Sequence, residues 1–87
     1  MSQKSMKSIE SRIGLRIREL RMRIKISQEA LALRAELDRT YINSVENGRR
    51  NISIKSLEKI TDALGVSLKE FFSAGAFRGC KRDFEDD

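Results

Sequence analysis

Residues 27–48 read SQEALALRAELDRTYINSVENG, and this stretch predicts two short helices joined by a tight turn. Ser27 occupies an N-cap position, because a serine oxygen can accept a hydrogen bond from the first turn of the helix that follows. Asp38 is the candidate N-cap of the second helix. Only about two or three residues around Leu37 separate the helices, which is the spacing of a helix-turn-helix unit.

The second of these helices carries an unusual mixture of side chains. Tyr41, Ile42 and Val45 give it an apolar side. Serine, threonine and asparagine fill much of the remainder, although their side chains compete for backbone hydrogen bonds and make them poor helix-interior residues. The helix should end near Asn47 and Gly48, since glycine is the usual residue just past a helix end. Packing in the core does not explain why one side of this helix carries short polar side chains.

Three further helices are predicted around this unit. Before it, isoleucine and leucine recur at spacings of 4, 4, 3 and 4, which predicts an amphipathic helix 1 over about residues 9–24. The two helices of the helix-turn-helix unit are therefore helices 2 and 3. After it, Ser53 can cap a fourth helix that Gly65 closes. Ser67 then begins SLKE, a Ser-x-x-Glu capping box that starts a fifth helix. The fold class is therefore predicted to be all-α.

The size and charge of the chain fit one small domain with an anionic partner. It has 87 residues and a formal net charge of +5, a balance that suits nucleic acid. Residues 1–26 hold eight Lys and Arg residues but only two Glu residues. We expect a flexible N-terminal arm over residues 1–8, a folded domain over residues 9–72 and a C-terminal tail over residues 73–87.

Other classes of function are disfavoured by what the sequence lacks. It has no histidine, a single cysteine at Cys80 and no Gly-rich phosphate loop, so the common acid–base, metal and nucleotide sites are missing. We expect no catalysis, metal, cofactor or small-molecule ligand. No apolar run approaches the roughly 18 residues of a membrane span, which predicts a cytoplasmic protein. The basic residues along helix 1 leave a membrane-surface or partner-binding helix as an alternative.

The motifs and their joint spacing resemble the Cro/repressor-type (XRE) helix-turn-helix family over about residues 9–72. The shared features are Arg21, SQEAL-A in helix 2, Y-I-x-x-x-E-N-G in helix 3 and L-x-K-I-x-x-A-L-G-V in helix 4. Within the family, LDRTYI, RRN and IKSL look most like controller proteins of restriction–modification systems. The resemblance implies a compact five-helix, lambda-repressor-like domain that binds DNA and dimerises.

The resemblance also implies a function. We expect a transcriptional regulator that binds an inverted-repeat operator in double-stranded DNA as a homodimer and regulates its own operon. The alternatives are a phage-type repressor and an antitoxin-like protein whose main partner is another protein. Few residues follow helix 5, and their small polar composition offers little to wrap such a partner.

This reading explains the short polar side of helix 3, because the recognition helix of such a unit enters the major groove. Arg39 can bond to guanine through two hydrogen bonds, Asn43 can pair with adenine, and the Thr40 methyl can meet a thymine methyl. The positions that face bases in the family correspond here to Arg39, Thr40, Asn43 and Ser44. The alternative is that these residues form only a solvated helix face.

A second group of residues is expected to bind the DNA backbone. Gln28 lies in the first turn of helix 2, where backbone N–H groups and the helix dipole favour a phosphate, although a simple capping role is the alternative. Tyr41 is expected to be half core residue and half phosphate donor. The expected phosphate contacts are Ser27, Gln28, Tyr41, Asn47, Arg49 and Arg50. For Arg49 and Arg50 the alternatives are a contact in the minor groove or, for one of the two, a solvated side chain.

Two further groups are expected to be structural. By resemblance, Arg21 and Glu46 pair across helices 1 and 3 and hold the recognition helix at its angle. Helix 5 gathers Leu68, Phe71 and Phe72, an apolar group that a soluble monomer would tend to hide, so these three residues are predicted to form the dimer interface. The alternative is that both phenylalanines fold inward onto Ile52 and Leu57 within one monomer.

Two positions depart from the family pattern. The family often has glycine where this chain has Lys25, after helix 1, and Glu36, in the turn of the helix-turn-helix unit. A residue with a Cβ atom costs on the order of 1 kcal/mol in a left-handed conformation. These two turns are therefore expected to adopt another geometry or to be strained.

Overall fold

The structure, a computed structural model, describes residues 8–77. The predictions for residues 1–7 and 78–87, Cys80 included, lie outside the described residues. Within them the chain is all-helical, which confirms the predicted fold class. Its elements are α1 (Ile9–Arg23), α2 (Gln28–Ala35), α3 (Arg39–Glu46), α4 (Ile54–Leu64), α5 (Leu68–Phe71) and a 3-10 helix (Gly75–Phe77).

Serine residues begin four of the five α-helices. The hydroxyl oxygens of Ser8, Ser27, Ser53 and Ser67 each accept a hydrogen bond from the backbone N–H three residues later, at 3.0–3.1 Å. These bonds satisfy N–H groups that have no partner within a helix. Asp38 takes the extended N-cap backbone at the start of α3, but its side chain makes no capping hydrogen bond. Asp38 therefore occupies the predicted N-cap position, but its carboxylate does not cap α3.

The turns after α1 and α2 keep the left-handed geometry without glycine. Lys25 has a φ of 60° and Glu36 a φ of 59°. The sequence left two outcomes open for these turns, another geometry or backbone strain, and both turns show the strained left-handed conformation. Each residue costs on the order of 1 kcal/mol relative to glycine, which the surrounding packing must offset. Gly65 ends α4 at a φ of 77°, as predicted for a helix-closing glycine.

One apolar core holds the helices together. Helix α1 crosses α3, and α2 packs against both α3 and α4. Ile42 and Val45 of α3 are buried in this core, which leaves the opposite side of α3 in solvent. The fully buried side chains of the largest volume are Phe71, Ile17, Leu31, Ile42, Ile60 and Val45.

The end of α5 differs from the prediction in two respects. Phe71 has no exposed surface, so it is a core residue of the single chain and cannot face a second copy. The chain does not leave the domain at residue 73: the Gly75–Phe77 helix packs against α1, and the Phe77 ring lies 5.0 Å from the Phe72 ring. The contacts among the rings of Phe71, Phe72 and Phe77 stabilise this segment against the domain.

Arg16 fastens α1 to this end of the domain. Its Nε atom donates to the Phe71 carbonyl oxygen and its Nη2 atom to the Glu70 carbonyl oxygen, both at 2.8 Å. A cation at the C-terminal carbonyl groups of a helix satisfies acceptors that have no partner within that helix. The Arg16 side chain is therefore buried.

Candidate nucleic-acid interface

The exposed side of α3 brings three of the four predicted base contacts together. Arg39, Thr40 and Asn43 line one open depression of about 230 Å³. All three side chains are exposed, because Ile42 and Val45 direct the other side of the helix into the core. Ser44 is only half-exposed and does not line the depression. The first turns of α3 therefore present a donor-rich surface without bulky apolar groups.

Tyr41 and Arg50 lie together beside this surface. The Arg50 guanidinium lies over the Tyr41 ring, with its central carbon 5.0 Å from the ring centroid, a cation–π contact. Tyr41 is half-buried and packs against the core, which confirms its predicted core half. Arg49 and Arg50 are both exposed in the loop after α3. This loop adds positive charge next to the polar side of α3.

The start of α2 is adjacent to the same side. Ser27 acts as the N-cap of α2, and its hydroxyl proton remains a donor because the capping bond uses only the oxygen as acceptor. The first-turn N–H groups of an α-helix attract anions. The side chain of Gln28 makes hydrogen bonds within the protein, to Glu46 and Asn43. Neither of the two roles predicted for Gln28, a phosphate contact or a helix cap, involves these bonds.

Arg21 and Glu46 form the ion pair that the sequence predicted. Arg21 Nε donates to Glu46 Oε2 at 2.7 Å, and Arg21 Nη2 donates to Glu46 Oε1 at 2.9 Å. The Glu46 side chain is 3% exposed and that of Arg21 12% exposed. Because the Glu46 carboxylate accepts these hydrogen bonds, it raises the pKa of Arg21 above its ordinary value, against the opposing effect of burial. The pair ties α1 to the C-terminal end of α3.

The polar network continues outward from this pair. Gln28 Nε2 donates to Glu46 Oε1 at 3.0 Å, and Asn43 Nδ2 donates to Gln28 Oε1 at 3.2 Å. Asn47 Nδ2 donates to the Asn43 carbonyl oxygen at 3.0 Å and to its Oδ1 atom at 3.3 Å. Gln28 and Asn47, both predicted phosphate contacts, are therefore also internal partners of a predicted base contact.

Helix α1 exposes only some of the basic residues that left a membrane-surface or partner-binding helix as an alternative. Arg16 and Arg21 turn their guanidinium groups inward to carbonyl and carboxylate oxygens. Arg18 and Arg23 remain exposed on the same helix. Among residues 8–77, no helix is both long and apolar enough to cross a membrane.

An apolar surface lies at the other end of the domain. Leu68 is 44% exposed and Phe72 40% exposed, and the Phe77 ring packs edge-on against Phe72. Of the three predicted interface residues, these two remain available to a second copy, and Phe77 is an aromatic neighbour that the prediction did not include.

Comparison with known proteins places this arrangement in a family. The helix-turn-helix family model matches residues 17–71. The control protein C.MunI of a Mycoplasma species is 46% identical over 69 residues, which cover 78% of this chain and 93% of that protein.

Two solved structures have the same fold. The restriction–modification controller protein C.AhdI from Aeromonas hydrophila superimposes with a TM-score of 0.70 at 41% identity, covering 72% of this chain and 96% of that one. The controller protein C.Esp1396I, solved as a tetramer with its natural operator, gives a TM-score of 0.72 at 42% identity, covering 76% of this chain and 88% of that one. This chain therefore belongs to the helix-turn-helix family of DNA-binding transcription regulators and, within that family, resembles the controller proteins of restriction–modification systems.

Proposed function

We propose that the protein is a sequence-specific transcriptional regulator that binds an inverted-repeat operator as a homodimer and regulates its own operon in a restriction–modification system. The observation that carries this proposal is the exposed group of Arg39, Thr40 and Asn43 on a helix whose other side is anchored in the core. Such a surface can enter the major groove and meet base edges. The similar protein C.Esp1396I has been solved on operator DNA, which supports the same role here.

The contacts with DNA divide into two roles. Arg39, Thr40, Asn43 and, at the edge of the surface, Ser44 read bases. The phosphate contacts come from the start of α2, from Tyr41 and Asn47, and from Arg49 and Arg50. Base contacts confer sequence preference, whereas phosphate contacts confer affinity for any duplex and fix the register of the protein.

The proposed function involves no catalysis. The protein acts by occupying a promoter, so it needs neither catalytic residues nor a cofactor, and it works in the cytoplasm, where operator DNA is found. A protein partner is not required. Recovery of a stoichiometric protein partner from cells, together with weak DNA binding, would instead favour the antitoxin-like alternative.

Selection from a library of randomised duplexes tests this function. We expect the enriched sequences to contain two inverted half-sites about 10 base pairs apart, because a two-fold dimer places its recognition helices one turn of DNA, about 34 Å, apart. Enrichment of a single half-site would contradict the dimeric mode of binding. If no sequence is enriched over random duplex, the proposed function is wrong.

The dimer makes a separate prediction about α5. Phe72→Ala should raise the dimer dissociation constant by roughly tenfold or more in sedimentation equilibrium, because burying a phenylalanine is worth about 1.5–3 kcal/mol and the change occurs in both copies. Affinity for the operator should fall with it. Leu33→Ala, which removes a 75% exposed leucine from α2, is the matched control and should leave the dissociation constant unchanged. A wild-type protein that remains monomeric at tens of micromolar would contradict this interface.

A further inference from the structure

We propose that Glu46 and Gln28 are positioning residues that orient the Asn43 amide, so that the preference for one base pair depends on a glutamine outside the recognition helix. This inference rests on the proposed function, in which Asn43 reads a base. It adds a path by which the buried ion pair controls sequence preference: Glu46 to Gln28, and Gln28 to Asn43.

The orientation begins at the buried carboxylate. Glu46 is paired with Arg21 at 2.7 and 2.9 Å, so its ionised oxygens only accept hydrogen bonds. Gln28 must therefore turn its NH₂ group toward Glu46 Oε1, and the two atoms lie 3.0 Å apart. The Gln28 oxygen is then directed away from the carboxylate. A reversed amide would place its oxygen against the Glu46 oxygen, an arrangement of two acceptors.

The second step fixes Asn43 in the same way. Gln28 Oε1 accepts from Asn43 Nδ2 at 3.2 Å, and Asn43 Oδ1 accepts from Asn47 Nδ2 at 3.3 Å. Both contacts would become repulsive if the Asn43 amide were reversed. The nitrogen and oxygen ends of this amide are therefore assigned by its neighbours before any DNA is bound.

The same contacts leave Asn43 able to read a base. Its NH₂ group has two hydrogens and its oxygen two lone pairs, and the internal contacts use one of each. The other hydrogen can reach adenine N7 while the other lone pair accepts from adenine N6, the two bonds by which asparagine recognises adenine. Fixing the amide before binding reduces the ordering cost of this contact.

Gln28→Ala tests the path. Operators are first selected from randomised duplexes with the wild-type protein, and affinities are then measured for each single base-pair change. Asn43→Ala should reduce the preference at one base pair by about 5- to 150-fold, the range for a two-bond contact. Gln28→Ala should reduce the preference at that same base pair, and the double variant should lose no more than Asn43→Ala alone.

Two further variants separate positioning from folding. Gln28→Met keeps the length of the side chain without its hydrogen bonds and should behave as Gln28→Ala, with a melting temperature near that of wild type. Glu29→Ala, at the next and exposed position of α2, should leave every base preference unchanged.

Each failure points to a different error. If Gln28→Ala and Gln28→Met weaken all duplexes alike while Asn43→Ala still relaxes one base pair, Gln28 is only a phosphate contact and this inference is overturned. If Asn43→Ala relaxes no base pair while Arg39→Ala does, Asn43 reads no base and the inference also fails, with the proposed function intact. If the wild-type protein selects no sequence, the proposed function itself fails.

Discussion

Glu46→Ala should lower the free energy of unfolding by about 3–5 kcal/mol, because removing one partner of a buried ion pair leaves the other charge without compensation. Here the uncompensated group is Arg21, which is 12% exposed and holds α1 against α3 through the two bonds to Glu46. The Gln28 amide loses its acceptor at the same time. Since a small domain has only about 5–15 kcal/mol of total stability, this loss is a large fraction of it.

Thermal or denaturant unfolding measures this effect. For a domain of this size, each kcal/mol corresponds to about 4–8 °C in melting temperature. Glu58→Ala, which removes an exposed carboxylate from α4, is the matched control and should stay close to wild type. Replacing both partners with apolar residues of similar size should recover most of the loss, as is found for buried pairs. Equal melting temperatures for Glu46→Ala and Glu58→Ala would refute the structural role of the pair.

Gly14→Ala should be the second disruptive substitution, although it adds only one methyl group. A Cβ atom at Gly14 would lie 2.2 Å from the Val45 carbonyl oxygen and 2.8 Å from that of Glu46. Both oxygens belong to the backbone of α3, so α3 itself must move. Overpacking typically costs about 1–3 kcal/mol and occasionally more, and we expect the upper end because no flexible side chain can give way.

The effect of Gly14→Ala can be measured both as a loss of stability and as a loss of operator affinity. Alanine favours a helix by about 1 kcal/mol over glycine, so any net destabilisation understates the steric conflict. Operator affinity should also fall, because the displaced helix is the one proposed to read bases. Gly75→Ala is the matched control, since a Cβ atom there meets no atom within 4 Å. A Gly14→Ala protein as stable as Gly75→Ala would mean that the crossing of α1 and α3 is looser than described.

The helices were predictable because their signals are local. The serine caps at Ser27, Ser53 and Ser67 and the glycine at Gly65 act within one turn of the chain. The apolar spacing likewise depends only on the helical repeat. The Arg21–Glu46 pair joins residues 25 positions apart, and it was predicted only through resemblance to a family.

What could not be predicted depends on contacts between distant segments. Arg16 resembles its basic neighbours in sequence, yet it bonds to carbonyl groups 54 and 55 residues away. Gly14 shows no local signal for the close crossing that it permits. Phe71 and Phe72 are adjacent and identical in type, so only the packed α5 decides that the first is buried and the second exposed. The internal bonds of Gln28 were missed for the same reason.

Arg50→Ala, in the loop after α3, is the control for the effect of Arg39→Ala on base reading. Arg50→Ala should weaken binding to all duplexes similarly and lower the slope of affinity against salt by roughly one, since it removes one of the proposed phosphate contacts. This uniform loss is what Arg39→Ala should not produce, because Arg39 lies in the depression with Thr40 and Asn43.

The affinity of Arg39→Ala for a selected operator, divided by its affinity for random duplex of the same length, tests base reading by α3 most directly. We predict a loss of about 1–3 kcal/mol on the operator, a relaxed preference at one base pair and little change on random duplex. If Arg39→Ala instead weakens operator and random duplex by the same factor, as Arg50→Ala should, then α3 does not read the sequence through Arg39 and the account is wrong.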